Sequence, residues 1–116
     1  MILNIENLKT MGAFTGAPVE REITWKKGDE EFKATVFVRP MSYKTAVSDL
    51  VAIKNNGDAV AARIAYCIVD QDGRPVFSVG DVTGDADPDR GPLDGTLALA
   101  LMHVIGEVSG LGKTST

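Results

Sequence analysis

Two runs, Val19 to Lys27 and Phe32 to Val38, carry most of their apolar residues with a period of two. In the first run Val19, Arg21, Ile23 and Trp25 share a face, and Glu20, Glu22, Thr24 and Lys26 occupy the other. In the second, Phe32, Ala34, Val36 and Val38 alternate with Lys33, Thr35 and Phe37. A period of two sends successive side chains to opposite sides of an extended chain, so each run predicts a strand. Gly28-Asp29 lies between them and supplies a tight turn. The pair therefore predicts a β-hairpin with Trp25 and Phe32 close together at its closed end. Arg39-Pro40 ends the second strand, because proline has no N–H to give the ladder.

Beyond Pro40 the period lengthens. Ser42 is a good N-cap for a helix from Tyr43 to about Asn55, in which Tyr43, Val47, Leu50 and Val51 fall on one face. Asn55-Asn56-Gly57 ends that helix. Asp58 caps a second, from Ala59 to about Val69, whose face is Ala61, Ile64, Ala65 and Ile68. So short a linker makes the two helices turn sharply and pack together. Residues 70–75 read as a turn, and Val76 to Val79 as a short extended piece. Residues 80–92 hold four aspartates, three glycines and two prolines and predict an exposed loop. A last helix runs from about Leu93 to Val108, with Gly110 as its C′ residue. Near the start, Asn4 caps a short turn that places Ile5 and Leu8 on one side, and residues 11–18 form a loop. The expected fold is a single α+β domain over residues 1–116. An N-terminal β-hairpin packs with a bundle of about three α-helices, and residues 112–116 form a flexible tail.

Composition narrows the function. The 116 residues carry a net charge of −4, and the pI is near 4.9. Nonspecific binding to nucleic acid needs a basic surface that displaces counterions. Here Arg21, Lys26 and Lys27 are answered by Asp29, Glu30 and Glu31, so no nucleic-acid partner is expected. A single cysteine, Cys67, allows no intramolecular disulfide and fits a reducing cytoplasm. The opening Met1 to Glu6 has no basic segment followed by an apolar run, so no signal peptide is expected. The most apolar stretch, Leu97 to Ile105, is too short to span a bilayer, and no membrane partner is expected.

Each candidate for chemistry lacks a required part. Asp85-Ala86-Asp87-Pro88-Asp89 resembles the start of a calcium loop, but Arg90 and Thr96 stand where the turn glycine and the bidentate carboxylate belong. Gly112-Lys113-Thr114 ends like a phosphate-binding loop, yet Glu107 replaces the first glycine and a helix precedes instead of following. His103 is the only histidine, with no nucleophile or carboxylate motif beside it, and reads as an exposed helix-face residue. Cys67 has no metal-ligand spacing and reads as a small, partly buried helix residue. No catalytic residue, cofactor or metal is expected.

The terminal helix carries more information. Leu97, Leu101, Val104, Ile105 and Val108 form an apolar stripe, extended backward by Leu93. Leu99 and Met102 lie toward the opposite side, near His103 and Gly106. A helix with apolar groups on a second side is either covered by another layer or docked on a partner. Methionine adapts to varied surfaces, and glycine lets another helix approach closely. Leu99, Met102, His103 and Gly106 are therefore the candidate partner-binding residues. The hairpin also leaves open edges with which a second subunit could pair.

The order of these features resembles that of the tail assembly chaperones of long-tailed bacteriophages. The resemblance runs over nearly the whole chain. It rests on the hairpin ending in Val36-Phe37-Val38-Arg39-Pro40-Met41-Ser42 and on a helix pair ending in Ile68-Val69-Asp70. It continues through Asp72-Gly73-Arg74-Pro75-Val76-Phe77 to the helix end Glu107-Val108-Ser109-Gly110-Leu111. The segment Gly80 to Pro92 is richer in Asp and Gly than the family pattern. The resemblance implies a non-enzymatic protein of the bacterial host cytoplasm, made from a phage or prophage. It would bind and shield the helical tape-measure protein, self-associate, and be absent from the mature virion. It further implies a minor longer form, made by a −1 ribosomal frameshift near the end of the gene, that recruits tail-tube protein. Leu111-Gly112-Lys113 can be encoded by G GGA AAG, a run on which both tRNAs re-pair after slipping. Two other classes fit the residues: a head-tail joining or tail-terminator protein retained in the virion, and a small enzyme or ligand-binding domain.

Overall fold

The computed structural model describes residues 2–13, 16–54 and 57–110. Side chains at positions 48, 49, 52 and 53 are outside that description. So are the predicted helix end at Asn55-Asn56, the proposed slippery site at Leu111 to Lys113, and the tail 112–116. The chain forms α1 (Ile5–Thr10), β1 (Val19–Lys27), β2 (Glu30–Val38), α2 (Tyr43–Lys54), α3 (Ala59–Cys67), β3 (Ile68–Val69), α4 (Val79–Thr83) and α5 (Gly95–Val108). This is the expected α+β arrangement, with α2, α3 and α5 as the three longer helices.

The hairpin follows the alternation. β1 and β2 pair antiparallel from Val19↔Val38 at the open end to Lys27↔Glu30 beside the turn. Gly28 sits at φ +64, a conformation open to glycine without steric cost and needed at the first residue of primed hairpin turns. Trp25 and Phe32 are directly opposite. Their rings stack at 5.6 Å between centroids, with 24° between planes. On the inner face Ile23 and Val38 are buried, and Trp25, Ala34 and Val36 pack beside them.

The helix-to-turn boundary differs from expectation. α3 stops at Cys67, and Ile68 and Val69 instead form β3, pairing with Val38 and Phe37. Two residues are too few to show a period. Both are β-branched and almost fully buried, and they satisfy the edge of β2 that the hairpin leaves unpaired. The Arg39 N–H continues the ladder to the Cys67 carbonyl at 2.8 Å. The sheet order is β1-β2-β3, so β1 is an outer strand. Cys67 is fully buried, not partly.

The acidic segment is also more ordered than a plain loop. Its first residues form α4, fixed by a capping box: the Asp81 N–H donates to the Ser78 hydroxyl, and the Ser78 N–H donates to the Asp81 carboxylate. Arg90 reaches back to Asp81 at 2.8 Å. Gly84 ends the helix at φ +94, and a Cβ there would lie 2.6 Å from the Pro92 nitrogen. Only glycine fits that approach. The expected extended piece, Val76 to Val79, forms no strand: the isolated bridge Val69↔Pro75 falls in the preceding turn, the Val76 N–H reaches the Ile68 carbonyl, and Val79 begins α4.

α5 lies across β1 and β2 and touches α3. Leu101, Val104 and Ile105 close the core with Ile64, Cys67 and Ile68. Asp94, not Leu93, stands at its start, accepting from the Leu97 N–H. Leu93 precedes the helix and ties the acidic segment in through its N–H to the Val82 carbonyl. α2 packs against α3. Its apolar face, however, points away from the domain: Tyr43, Val47, Leu50 and Val51 are all exposed. On the opposite side of the helix Thr45 is fully buried, with its hydroxyl accepting from the Ser42 N–H at 3.2 Å. Periodicity shows which residues share a face but not which neighbour covers it.

Candidate partner-binding surfaces

The outer side of α5 is positioned from both ends. At its start the Asp94 carboxylate receives the Thr96 hydroxyl and the Leu97 N–H. These bonds, that of Thr96 foremost, hold the Asp94 carboxyl below its ordinary pKa. The Thr96 hydroxyl is also 2.8 Å from the Lys26 carbonyl, so its single proton serves the cap or the hairpin. At the far end the Ser109 hydroxyl accepts from the Met41 N–H at 2.9 Å. With the inner side held on the sheet, Leu99 is 73% exposed. His103 lies one turn further along and meets Glu107 at 3.0 Å. Both side chains are largely in solvent, so the pair adds little to stability. Gly106 continues the strip, and a Cβ built there would touch nothing within 4 Å. Met102 is at the border of the strip, partly buried and packed on the core. The structure thus brings Leu99, His103 and Gly106 together on the outer side, while Met102 leans inward.

A second surface was not singled out as a candidate from the sequence. On α2, Tyr43 is 83% and Leu50 65% exposed, with Val47 and Val51 between them. Near the start of the chain, α1 buries no side chain, and Ile2, Leu3, Ile5 and Met11 are exposed. The available signal was the mismatch between apolar surface and cover: one short hairpin can cover one helix, not three.

A third feature is an open groove of about 980 Å³ lined by residues that include Gly16, Arg39, Tyr43, Tyr66 and Gly73. Arg39 is its organising side chain. The guanidinium lies 5.1 Å from the centre of the Tyr66 ring and donates to the Gly73 carbonyl. Asp70 holds the neighbouring turn by accepting the N–H groups of Asp72 and Arg74. The four stretches that carry the family resemblance are therefore linked through one junction. Val36 to Ser42 contributes Arg39 and Met41, Ile68 to Asp70 contributes the turn carboxylate, Asp72 to Phe77 contributes Gly73, and Glu107 to Leu111 contributes Ser109.

Among the described residues no group of three or more His, Cys, Asp or Glu side chains is placed to hold a metal ion. No described helix is long and apolar enough to cross a membrane. No curated protein and no solved structure matches the chain. A family model described as phage tail assembly chaperone, TAC, matches residues 6–109, which span the hairpin, all three longer helices and the Arg39 junction. The chain belongs to the phage tail assembly chaperone family.

Proposed function

We propose that this chaperone binds and shields the tape-measure protein while the tail is assembled, using the outer side of α5. The observation that carries this reading is Leu99, a large apolar side chain 73% exposed in the middle of a helix whose other side is core. His103 and Glu107 frame it with polar groups, and Gly106 leaves room for another helix to lie close. An apolar spot with a polar rim and a glycine clearance suits the apolar stripe of a long helical partner. Covering such stripes prevents their aggregation, which needs no catalytic group. In this reading the protein acts in the host cytoplasm and leaves before the virion matures. A longer frameshifted form, extending from codons 111–113, brings tail-tube subunits to the same complex.

Co-expression with the long helical tail protein, followed by pull-down, tests the central step. Leu99→Asp is expected to abolish capture while leaving the thermal melt of the domain unchanged, because Leu99 contributes no core packing. Capture undiminished by Leu99→Asp would place the binding surface elsewhere. Met102→Asp is a poorer probe, since Met102 also packs on the core. Mass spectrometry of purified virions separates a departing chaperone from a retained joining or terminator protein.

A further inference from the structure

We infer that two copies of this chain associate by arm exchange, the segment of residues 2–13 from each copy docking on the apolar face of α2 in the other. Two unpartnered apolar surfaces of the same chain carry the inference. α1 is only six residues long, and isolated helices of that length are marginal in water. Yet both of its ends are closed. Asn4 accepts from the Asn7 N–H at 2.8 Å. At the other end Gly12 at φ +76 allows the Ala13 N–H to reach the Leu8 carbonyl and the Gly12 N–H to reach Lys9, the paired bonds of a Schellman ending. A doubly capped helix that buries none of its side chains is prepared for a surface its own domain does not provide. Ile5 on the helix, with Ile2 and Leu3 before it and Met11 at its C-cap, are the exposed apolar groups of the segment.

The α2 face is the complementary surface. Tyr43, Val47, Leu50 and Val51 lie along about two turns of a twelve-residue helix, about 12 Å of axis at the usual rise per residue. The root of the arm is beside it: Ala13 and Gly16 line the same groove as Ser42, Tyr43 and Lys44. The arm therefore leaves the domain at the end where α2 begins, and a second copy related by a two-fold axis can receive it while returning its own. Eight large apolar side chains per copy, 40–83% exposed in the monomer, are covered by reciprocal exchange, an area on the order of the ~1,600 Å² of a standard stable interface. The interface does not involve Leu99, so it is independent of the partner surface proposed on α5.

The test uses the full chain. Ile5→Cys carrying one affinity tag is mixed with Leu50→Cys carrying another, and the mixture is oxidised; the native Cys67 is fully buried and stays out of reach. The expected product is a reductant-sensitive heterodimer bearing both tags. No cross-link, or a chain with both cysteines that closes only within itself, overturns the inference. Sedimentation of Ile5→Asp and of Leu50→Asp should each show the dimer dissociation constant raised at least about tenfold, with the helical signal unchanged. A native chain that stays monomeric at high concentration, or a dimer that survives both substitutions, overturns it equally. Leu99→Asp should leave the dimer intact, so loss of tape-measure capture and loss of the dimer are separately readable.

Discussion

α5 and α2 each carry an apolar face, but only that of α5 is covered. The sheet covers the Leu101, Val104 and Ile105 side of α5, and α3 closes it laterally. α2 packs chiefly on α3 and turns Tyr43, Val47, Leu50 and Val51 to solvent while burying Thr45. Burial is a property of the pair, not of the helix. A three-stranded sheet whose third strand has two residues offers one small apolar face, and α5 covers it.

The largest expected effect lies on the covered side. Leu101→Ala should destabilise the domain by about 2–5 kcal/mol, since the site is enclosed and cannot collapse fully around the void; urea unfolding measures it. A cost below about 1 kcal/mol would mean that α5 is not the core helix of this molecule.

That contrast also marks how far the residues could be read in advance. The hairpin register, the Trp25–Phe32 stack, the Asp58 cap and the stripe of α5 all follow from local periods and capping chemistry. β3 did not, because two buried β-branched residues after a helix look like one more helical turn. α4 was hidden in an Asp- and Gly-rich segment, although Ser78 and Asp81 stand at capping-box spacing. The direction of α2 depends on how much sheet surface exists to cover it, which no local pattern records. On the candidate surface, Leu99, His103 and Gly106 came together as the helical period requires. Met102 did not stand clear, because its unbranched side chain reaches from the edge of the strip back to the core.

A further effect is acid-dependent. The folded carboxyl of Asp94 titrates below its ordinary value of 3.8, chiefly through the Thr96 hydroxyl bond. Asp81 does likewise, chiefly through the Ser78 N–H and then Arg90. In the unfolded chain both bind protons first as pH falls. Their stabilisation is therefore complete well above 3.8 and is lost as pH drops through the folded values. Melting temperature followed downward from about pH 6 should fall less steeply for Asp94→Asn, which retains a capping oxygen but cannot titrate. An identical slope would remove Asp94 from the account.

Gly106→Ala should stabilise by about 0.5–1 kcal/mol, because the helix interior gains a side chain that meets nothing. Destabilisation would show that this side of α5 is already covered. The smallest effect belongs to α2, where Leu50→Ala should change monomer stability by no more than about 0.5 kcal/mol under dilute conditions. A loss comparable with that of Leu101→Ala would erase the distinction between the two helices.

The Arg39 junction has a consequence for mutational tolerance. Its links run largely through main-chain groups: the Arg39 N–H to Cys67, the guanidinium to the Gly73 carbonyl, Asp70 to two backbone amides, and Ser109 to the Met41 amide. Most positions in the four converging stretches can therefore change identity without breaking a bond, provided the lengths between them hold. Arg39, Asp70 and Ser109 are the three whose side chains take part. In a library randomised across these stretches, single-residue deletions should be eliminated before most substitutions, and the surviving substitutions should spare those three positions.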